Sequence, residues 1–433
     1  MRFYDIIDKK KNKQALSKEE IDFFIKGVVD GSIPDYQISS LIMAIYLNGM
    51  NNTELSCLTE AMAYTGDVLN IDKLFDNTVD KHSTGGIGDK TSLIVCPIVS
   101  SLGLNIAKMS GRGLGFTGGT IDKLESIPGF ITDLKEKDFI KQVNDIGFSL
   151  ISQTGNIAPA DKKIYALRDT TATVSSIPLI ASSIMSKKIA AGDSNILLDV
   201  KVGSGAFMKN IKDAKELASK MVAIGKNLGK NIMAIMTNMD EPLGYNIGNS
   251  LEVIEAIEVL KGNGNKKLTE LCISLATNMI VLAKNISSKE AKKMVIEAIK
   301  SGKALEKFAE FIKYQHGNPE IINDYNLLPK SKHVYEVKAL KSGYISKINS
   351  EEIGKIANML GAGRSKMDDK IDYGAGIVMH AKVNDYIKKG NIIATFYTNK
   401  NSVDDLISEY NKAIKISGYK VADPKMILGY IKK

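Results

Sequence analysis

The sequence predicts a helical domain and an α/β domain with a mostly parallel sheet, which flank a cleft, and a small C-terminal α+β domain. Three observations predict this fold class. Residues 1–70 have helical periodicity, the residues that follow alternate short apolar runs with glycine turns, and residues beyond about 330 alternate as strands do.

The helical domain is predicted in two parts, residues 1–70 and 161–193. Ser17 and Glu20 form a capping box before the apolar segment IDFFIKGVV, and helical spacing continues through DYQISSLIMAIYL and NTELSCLTEAMAYTG. The same spacing returns in the segment DKKIYALRDTTATVSSIPLIASSIMSKKIAAG. We therefore expect both parts to pack as one helical unit.

The α/β domain is also predicted in two parts, residues 71–160 and 194–330, and residues 331–433 form the C-terminal domain. The segment NILLDVKVGSGAF predicts a buried strand that ends in a glycine turn, and long amphipathic helices follow it. The chain then crosses between the first two domains near 66–80, 154–162 and 192–196. The candidate hinges at these crossings are Gly66, Gly155 and Gly192.

Composition restricts the class of protein. Hydrophobic residues make up 44% and charged residues 25% of the chain, which is typical of soluble globular proteins. No apolar run reaches the roughly 18 residues of a membrane span, and the N-terminus lacks the apolar core of a secretion signal. Three scattered cysteines favour a reducing compartment, so we expect a cytoplasmic protein without a membrane partner. The net charge of +9 comes almost entirely from lysine, which disfavours a nucleic-acid partner.

A glycine-rich loop lies in the segment VDKHSTGGIGDKTS, residues 79–92. Glycines allow close backbone approach, and successive free N–H groups make an anion-binding nest. The segment does not match the loop of nucleoside-triphosphate-binding proteins, because Asp89 stands where the motif requires glycine before Lys90. It predicts a cradle for a smaller phosphate group.

A second loop lies in KMSGRGLGFTGGTIDKLE, residues 108–125. Its glycines fit a dinucleotide fingerprint formally, but no acidic residue closes a strand about 20 residues later. We therefore expect no nucleotide cofactor. A third segment, KVGSGAF, predicts a simple strand-to-helix turn.

The first two loops each follow a predicted strand and precede a predicted helix, so they should meet at the carboxyl edge of a parallel sheet. Lysines and hydroxyls there would bind an inorganic phosphate dianion. The serines and threonines could instead cap helices. The candidate phosphate-binding residues are Lys81, Ser83, Ser92, Lys108, Ser110 and Thr120.

A planar heterocycle could bind to the second helical segment. Ser183 and Lys187 are spaced i, i+4, and Tyr165 and Arg168 are spaced i, i+3, so each pair shares a helix face. Together they could form a flat polar pocket for ring carbonyls and an N–H group. The alternative is that both are merely solvated helix faces.

The quoted motifs, together with ALRD, SSIMSKKIAAG and LDVKVGSGAFMK, resemble pyrimidine-nucleoside and thymidine phosphorylases, and the likeness extends from about residue 1 to residue 430. The resemblance implies a homodimer formed through the helical domain, with inorganic phosphate as co-substrate and a structural potassium ion. It implies catalytic roles for His82, Arg168 and Lys187, and a pyrimidine site of Tyr165, Arg168, Ser183 and Lys187. The implied potassium residues are Gly88, Lys90, Leu243, Asn246 and Glu255.

Three positions depart from the family pattern. Phe116 replaces a usual histidine, Lys90 replaces a frequent threonine, and Asn246 replaces a small residue. If the contact of residue 90 with potassium is made by the backbone carbonyl, it survives; if it is made by a hydroxyl, it is lost.

The implied reaction is phosphorolysis of uridine, deoxyuridine and thymidine to the free base and (deoxy)ribose 1-phosphate, with inversion. Lys108, where enzymes narrow for thymidine carry methionine, predicts the broad substrate range rather than a thymidine-specific enzyme. A second alternative is an anthranilate-type phosphoribosyltransferase, whose magnesium could be held by Asp122 and Glu125.

Overall fold

A computed structural model describes residues 1–113, 115, 117–153, 156–364 and 369–432. Within these residues the predicted fold class is confirmed. The candidate hinge Gly155 and the family departure Phe116 lie outside the described residues.

In the described part of the chain, six helices form the helical domain, and the capping box of Ser17 and Glu20 is present at the start of α2. Helix α10 packs against α4, and α9 packs against α2 and α3, so the second sequence segment completes the first. The helices are α1 (Phe3–Lys11), α2 (Lys18–Asp30), α3 (Asp35–Asn48), α4 (Asn52–Ala63), α9 (Pro159–Thr170) and α10 (Ile177–Ala191).

The α/β domain is built on parallel strands. Strand β4 pairs in parallel with β1 on one side and with β5 on the other, and β2 pairs in parallel with β3. A bridge between Thr78 and Asn105 joins the two groups, which makes the spatial order β3-β2-β1-β4-β5. The strands are β1 (Val79–Ser83), β2 (Ile106–Ser110), β3 (Phe148–Ser152), β4 (Asn195–Val202) and β5 (Asn231–Asn238).

Helices cover both faces of this sheet. The helices of the α/β domain are α5 (Ile71–Leu74), α6 (Thr91–Ser101), α7 (Thr120–Glu125), α8 (Glu136–Ile146), α11 (Ile211–Asn227), α12 (Asn249–Leu260), α13 (Lys266–Lys284), α14 (Ser288–Lys300) and α15 (Lys303–Tyr314). Of these, α11 and α13 pack directly against β4. All eight residues of β4 are buried: Leu197 packs in one apolar core, while Ile196 and Leu198 pack in another. The sheet thus separates two cores, as the period of two along a strand requires.

Strands of the C-terminal unit pair with strands of the α/β domain. Strand β13 (Ile427–Ile431) pairs antiparallel with β5, and the short β6 (Asn246–Ile247) pairs with β9 (Gly376–Met379). The other strands and α-helices of this unit are β7 (His333–Lys338), β8 (Gly343–Ile348), α16 (Ser350–Ala357), β10 (Tyr386–Ile387), β11 (Ile392–Thr398), α17 (Asp404–Ala413) and β12 (Ile414–Ser417). Among the described helices, none combines the length and apolar character needed to cross a membrane.

Candidate active site

A cleft of ≈ 680 Å³ lies between the carboxyl edge of the parallel sheet and helices α9 and α10. In the sheet, β2 lies on one side of β1 and β4 lies on the other side. The carboxyl end of β1 is therefore a topological switch point, where ligands bind in open α/β sheets. Both glycine-rich loops and both helical segments reach it. The predicted residues that line it are His82, Ser83, Ser92, Lys108, Ser110, Thr120, Tyr165, Arg168, Ser183 and Lys187.

The first loop turns sharply after β1, with Gly85 and Gly88 at φ of 90° and 69°. Ser83 donates a hydrogen bond to Asp89, which also accepts one from Thr91 at the start of α6. Burial alone would raise the pKa of Asp89, but the ammonium groups of Lys201 and Lys81 hold it well below its usual range. The loop is therefore closed around an ionised carboxylate.

Lys81 does not line the cleft. Its fully buried ammonium donates to Thr91 at 2.6 Å and lies 3.3 Å from Asp199. Lys201 lies 2.7 Å from the same carboxylate of Asp199. Because alternate residues of a strand point to opposite faces, Lys81 turns toward α6, away from Asp80 and His82. Its side chain supports the loop from behind and points away from the cleft, so the ammonium does not take the position predicted for a phosphate contact.

The positive charge at the floor of the cleft comes from two other lysines. Lys108 and Lys188 lie 3.0 Å and 2.6 Å from the buried carboxylate of Asp80, on opposite oxygens. Burial would raise the pKa of Asp80, but the two ammonium groups hold it well below its usual range. Two cations thus share one anion, which leaves net positive charge for an anionic ligand. Lys188 also lines the cleft and was missed by sequence reasoning, although it directly follows Lys187.

The second loop is braced by its two acidic residues. Asp122 accepts the backbone N–H of Gly113 at 2.6 Å and pairs with Arg112 and Arg364. Glu125 pairs with the same Arg112. Both carboxylates are therefore engaged by arginines. In the described residues no group of three or more His, Cys, Asp or Glu side chains could hold a metal ion.

The helical side of the cleft is organised by Asp161, a buried residue in the first turn of α9. One oxygen of this carboxylate accepts a hydrogen bond from Ser183 at 2.9 Å and lies 2.5 Å from the ammonium of Lys187. Ser183 and Lys187 therefore share a face, and that face is not merely solvated. Sequence reasoning missed Asp161, whose position after Pro159 marks only a helix start.

Arg168 is almost fully buried and is held by backbone carbonyls. Its guanidinium donates to Val174 at 2.6 Å and to Leu179 at 3.2 Å, and its central carbon lies 5.6 Å from the ring centre of Tyr165. Burial lowers the pKa of Arg168, yet arginine stays charged in proteins. The four side chains predicted to bind the pyrimidine therefore line the same cavity.

His82 follows Lys81 on β1 and lines the cleft between the two sides. Burial, and then the nearby ammonium groups of Lys188 and Lys108, set the pKa of His82 well below its ordinary value. The imidazole is therefore neutral at physiological pH.

The residues predicted to bind potassium do lie together, but the ammonium of Lys90 lies at their centre. It donates to the carbonyl oxygens of Leu243 and Asn246, both at 2.8 Å, and to Glu255 at 2.6 Å. Lys90 cannot be a metal ligand through this group, because an ammonium has no lone pair. The side chains that this chain provides do not fit a potassium ion at that position.

Three family models match the chain. The helical bundle domain of the glycosyl transferase family matches residues 4–66, its a/b domain matches residues 76–305, and the pyrimidine nucleoside phosphorylase C-terminal domain matches residues 344–417. Proteins named pyrimidine-nucleoside phosphorylase are similar over nearly the whole chain. The one from Staphylococcus epidermidis is 53% identical over 96% of both chains, and the one from Staphylococcus aureus is 51% identical over 99% of both.

This chain belongs to the pyrimidine-nucleoside phosphorylase family. The resemblance predicted from the motifs is confirmed. As a member of this family and of the glycosyl transferase class, the chain is an enzyme, a pentosyltransferase.

Among solved structures, anthranilate phosphoribosyltransferase from Thermus thermophilus is similar, with a TM-score of 0.59 over 71% of this chain and 98% of that chain. The sequence identity is only 17%, so the likeness between this phosphorylase family member and that enzyme concerns the fold alone.

Proposed function

We propose that this protein catalyses phosphorolysis of uridine, deoxyuridine and thymidine, with inversion at C1′. The observation that carries this proposal is the single cleft that joins the two hydroxyl-rich loops to the four side chains on α9 and α10. Phosphate binds on the sheet side and the pyrimidine on the helical side. The sugar lies between them.

Phosphate is held by the hydroxyls of the two loops and by the charge of Lys108 and Lys188. Ser83 exchanges its hydrogen bond with Asp89 for one to phosphate, because a hydroxyl has a single donor. Lys81, with Lys201, keeps Asp89 ionised and the loop in place. This arrangement needs no nucleotide cofactor, and inorganic phosphate is the co-substrate.

In the reaction a phosphate oxygen forms a bond to C1′ from the face opposite the base. The C1′–N1 bond breaks, and its electron pair leaves with the pyrimidine through a transition state in which the sugar is cation-like. Lys187 and Arg168 stabilise the negative charge that develops on the ring carbonyls. His82, being neutral, donates a hydrogen bond to O2 and orients the base. The departing base anion finally takes a proton from solvent at N1, which gives the neutral pyrimidine.

The phosphoribosyltransferase alternative is disfavoured by Asp122 and Glu125, because both carboxylates already pair with arginines. Their role here is to brace the phosphate loop.

We extend the proposal to a homodimer formed through the helical domain. Helices α1 and α3 expose large apolar side chains to solvent: Tyr4 is 64%, Tyr36 73% and Leu47 71% exposed. Light scattering on the wild-type protein should yield twice the 47.2 kDa of one chain, and Leu47→Glu should reduce the mass toward one chain.

The activity is tested by incubating the protein with uridine in the presence and absence of inorganic phosphate, without magnesium, and by separating uracil and ribose 1-phosphate. Lys187→Ala should raise the activation free energy of turnover by about 3 kcal/mol, and the KM for phosphate should change little. Lys162→Ala, on the same helix as Arg168, is the control. Release of uracil in phosphate-free buffer would indicate a hydrolase. Release of pyrophosphate from phosphoribosyl pyrophosphate with anthranilate and magnesium would indicate the transferase.

A further inference from the structure

The ammonium of Lys90 occupies a site that has the chemistry of a monovalent-cation site. The side chain is fully buried, and its three N–H groups meet three oxygens at 2.6 to 2.8 Å. Two of these oxygens are backbone carbonyls, the groups that replace the hydration shell of potassium in proteins. The third belongs to the carboxylate of Glu255, which supplies the neutralising charge.

The carboxylate of Glu255 is held in place by other contacts, and the loop packs closely against the carbonyl of Leu243. The carboxylate of Glu255 also accepts the backbone N–H groups of Tyr245 at 2.7 Å and Asn246 at 3.0 Å. Gly88 packs so closely that an added Cβ would lie 2.6 Å from the carbonyl oxygen of Leu243. The site is thus built from the first loop, the turn at 243–246 and helix α12.

The oxygens that accept hydrogen bonds from Lys90 are not free to bind a second cation. A potassium ion bound to the carbonyls of Leu243 and Asn246 would stand beside the ammonium, and the two positive charges would repel each other with only one carboxylate between them. The same oxygens can serve one cation at a time.

The location connects this site to catalysis. Lys90 lies between Asp89, which closes the first phosphate loop, and Thr91, which begins α6. An ordered cation at this position fastens the loop to the turn at 243–246. Loss of the cation would leave Glu255 buried without its charged partner.

We propose that the ammonium of Lys90 is a tethered cation that replaces the potassium ion expected at this site, so that neither the stability nor the activity of this protein depends on potassium. The stability half of this inference stands on the geometry alone. The activity half rests on the proposed function.

The first measurement is the thermal midpoint of the full-length protein in potassium, sodium and choline chloride at equal ionic strength. The wild-type midpoint should be the same in all three salts. A midpoint that rises specifically and saturably with potassium overturns the proposal.

The second measurement uses Lys90→Thr, which removes the ammonium and offers a hydroxyl to a bound ion. Its midpoint should fall by roughly 10 °C in choline chloride, because a buried carboxylate loses its partner, and should recover as potassium is added. Lys90→Met, which fills the space without a ligand, should fall equally and not recover. Lys293→Thr, on an exposed face of α14, is the control for the substitution itself.

A Lys90→Thr protein that is insensitive to potassium overturns the proposal. If that variant cannot be purified in any salt, the wild-type comparison decides alone. Phosphorolysis of uridine is measured in parallel and should show potassium dependence only in Lys90→Thr. If neither protein releases uracil, the proposed function fails while the thermal measurements still test the tethered cation.

Discussion

At the scale of single residues, Asp80 sets the charge at the floor of the cleft. It is buried and ionised, and it orients two lysines toward the position where phosphate binds in our proposal. Removal of either lysine therefore changes both a ligand contact and the charge balance of the site.

Lys108→Met should reduce activity toward uridine by a larger factor than activity toward thymidine. The ammonium of Lys108 donates to Asp80 and to the backbone carbonyl of Lys81, which leaves its third N–H for a ribose 2′-hydroxyl. A thioether cannot donate, and an unpaired hydroxyl costs about 1–3 kcal/mol. The ratio of kcat/KM for the two nucleosides is the readout. An unchanged ratio would remove Lys108 from substrate selection.

His82→Asn should lower kcat without changing the shape of the pH profile between about pH 6.5 and 8, a window that begins at the ordinary pKa of histidine. The pKa of His82 lies well below its ordinary value because the side chain is buried beside ammonium groups, so the wild-type imidazole is neutral in this window. Asparagine keeps a neutral N–H donor. A limb of the wild-type profile near pH 6.5 that disappears in the variant would show that His82 acts as a titrating acid.

Asp193→Asn should stabilise the protein at alkaline pH. Burial, and then the charge of Asp80, raise the pKa of Asp193 to about 8, and neither of its oxygens has a hydrogen-bond partner within the described part of the chain. Between its ordinary pKa near 4 and pH 8 the folded chain holds a proton that the unfolded chain has released, so the free energy of unfolding falls as pH rises. Urea unfolding should show a gain for the variant that is larger by a few kcal/mol at pH 8.5 than at pH 5.

The exposed Asp133→Asn is the matched control for this substitution. An equal gain at both pH values would mean that the carboxyl of Asp193 is not protonated in the folded protein.

At the scale of structural elements, the C-terminal unit holds the second glycine-rich loop in place. Asn358 donates to the carbonyl of Gly115 at 2.6 Å, Arg364 pairs with Asp122, and Tyr373 donates to Glu125. The loop is therefore fastened by residues far away in the chain, at separations of 243, 242 and 248 residues.

Asn358→Ala should raise the KM for phosphate roughly five- to tenfold, because one hydrogen bond that orders the loop is worth about 1 kcal/mol. The KM for uridine should change less, since the base binds on the opposite side of the cleft. Steady-state kinetics with each substrate varied in turn measures this. Asn411→Ala, which removes a hydrogen bond within α17, is the control. Equal changes in both KM values would assign Asn358 to general stability.

At the scale of the whole molecule, the chain crosses between the helical and α/β domains at tightly packed glycines. An added Cβ at Gly66 would lie 1.8 Å from the carbonyl oxygen of Asn156, and Gly192 has φ of 89° with Asn70 2.8 Å from its added Cβ. Close packing therefore requires glycine at both positions, independently of whether they act as hinges.

We expect the two domains to close on the substrates. Phosphate and base bind to opposite domains in our proposal, so bound together they draw the walls of the cleft toward each other. Small-angle scattering should show a smaller radius of gyration with phosphate plus a pyrimidine analogue than with either alone. Superimposable curves under all conditions would argue against closure.

The sequence alone determined the features that depend on local pattern. Helical spacing, the capping box of Ser17 and the strand in NILLDVKV are short-range properties, and the glycine loops follow from residues adjacent in the chain. The motifs also indicated the family, because they occur along this chain in the same order as in the family. Candidate residues for both sides of the cleft therefore follow from the order of residues in the chain.

Only the tertiary structure decided where charged side chains point and with which groups they pair. The register of β1 turned Lys81 away from the cleft, and Asp161 emerged as the partner of Lys187. Lys90 meets Glu255 across 165 residues of sequence. The energy of a buried charge depends on the nearest opposite charge in space, and no local pattern records that neighbour. For this reason the sequence could not show that Lys90, predicted beside a potassium ion, places its own ammonium among the oxygens predicted to bind that ion.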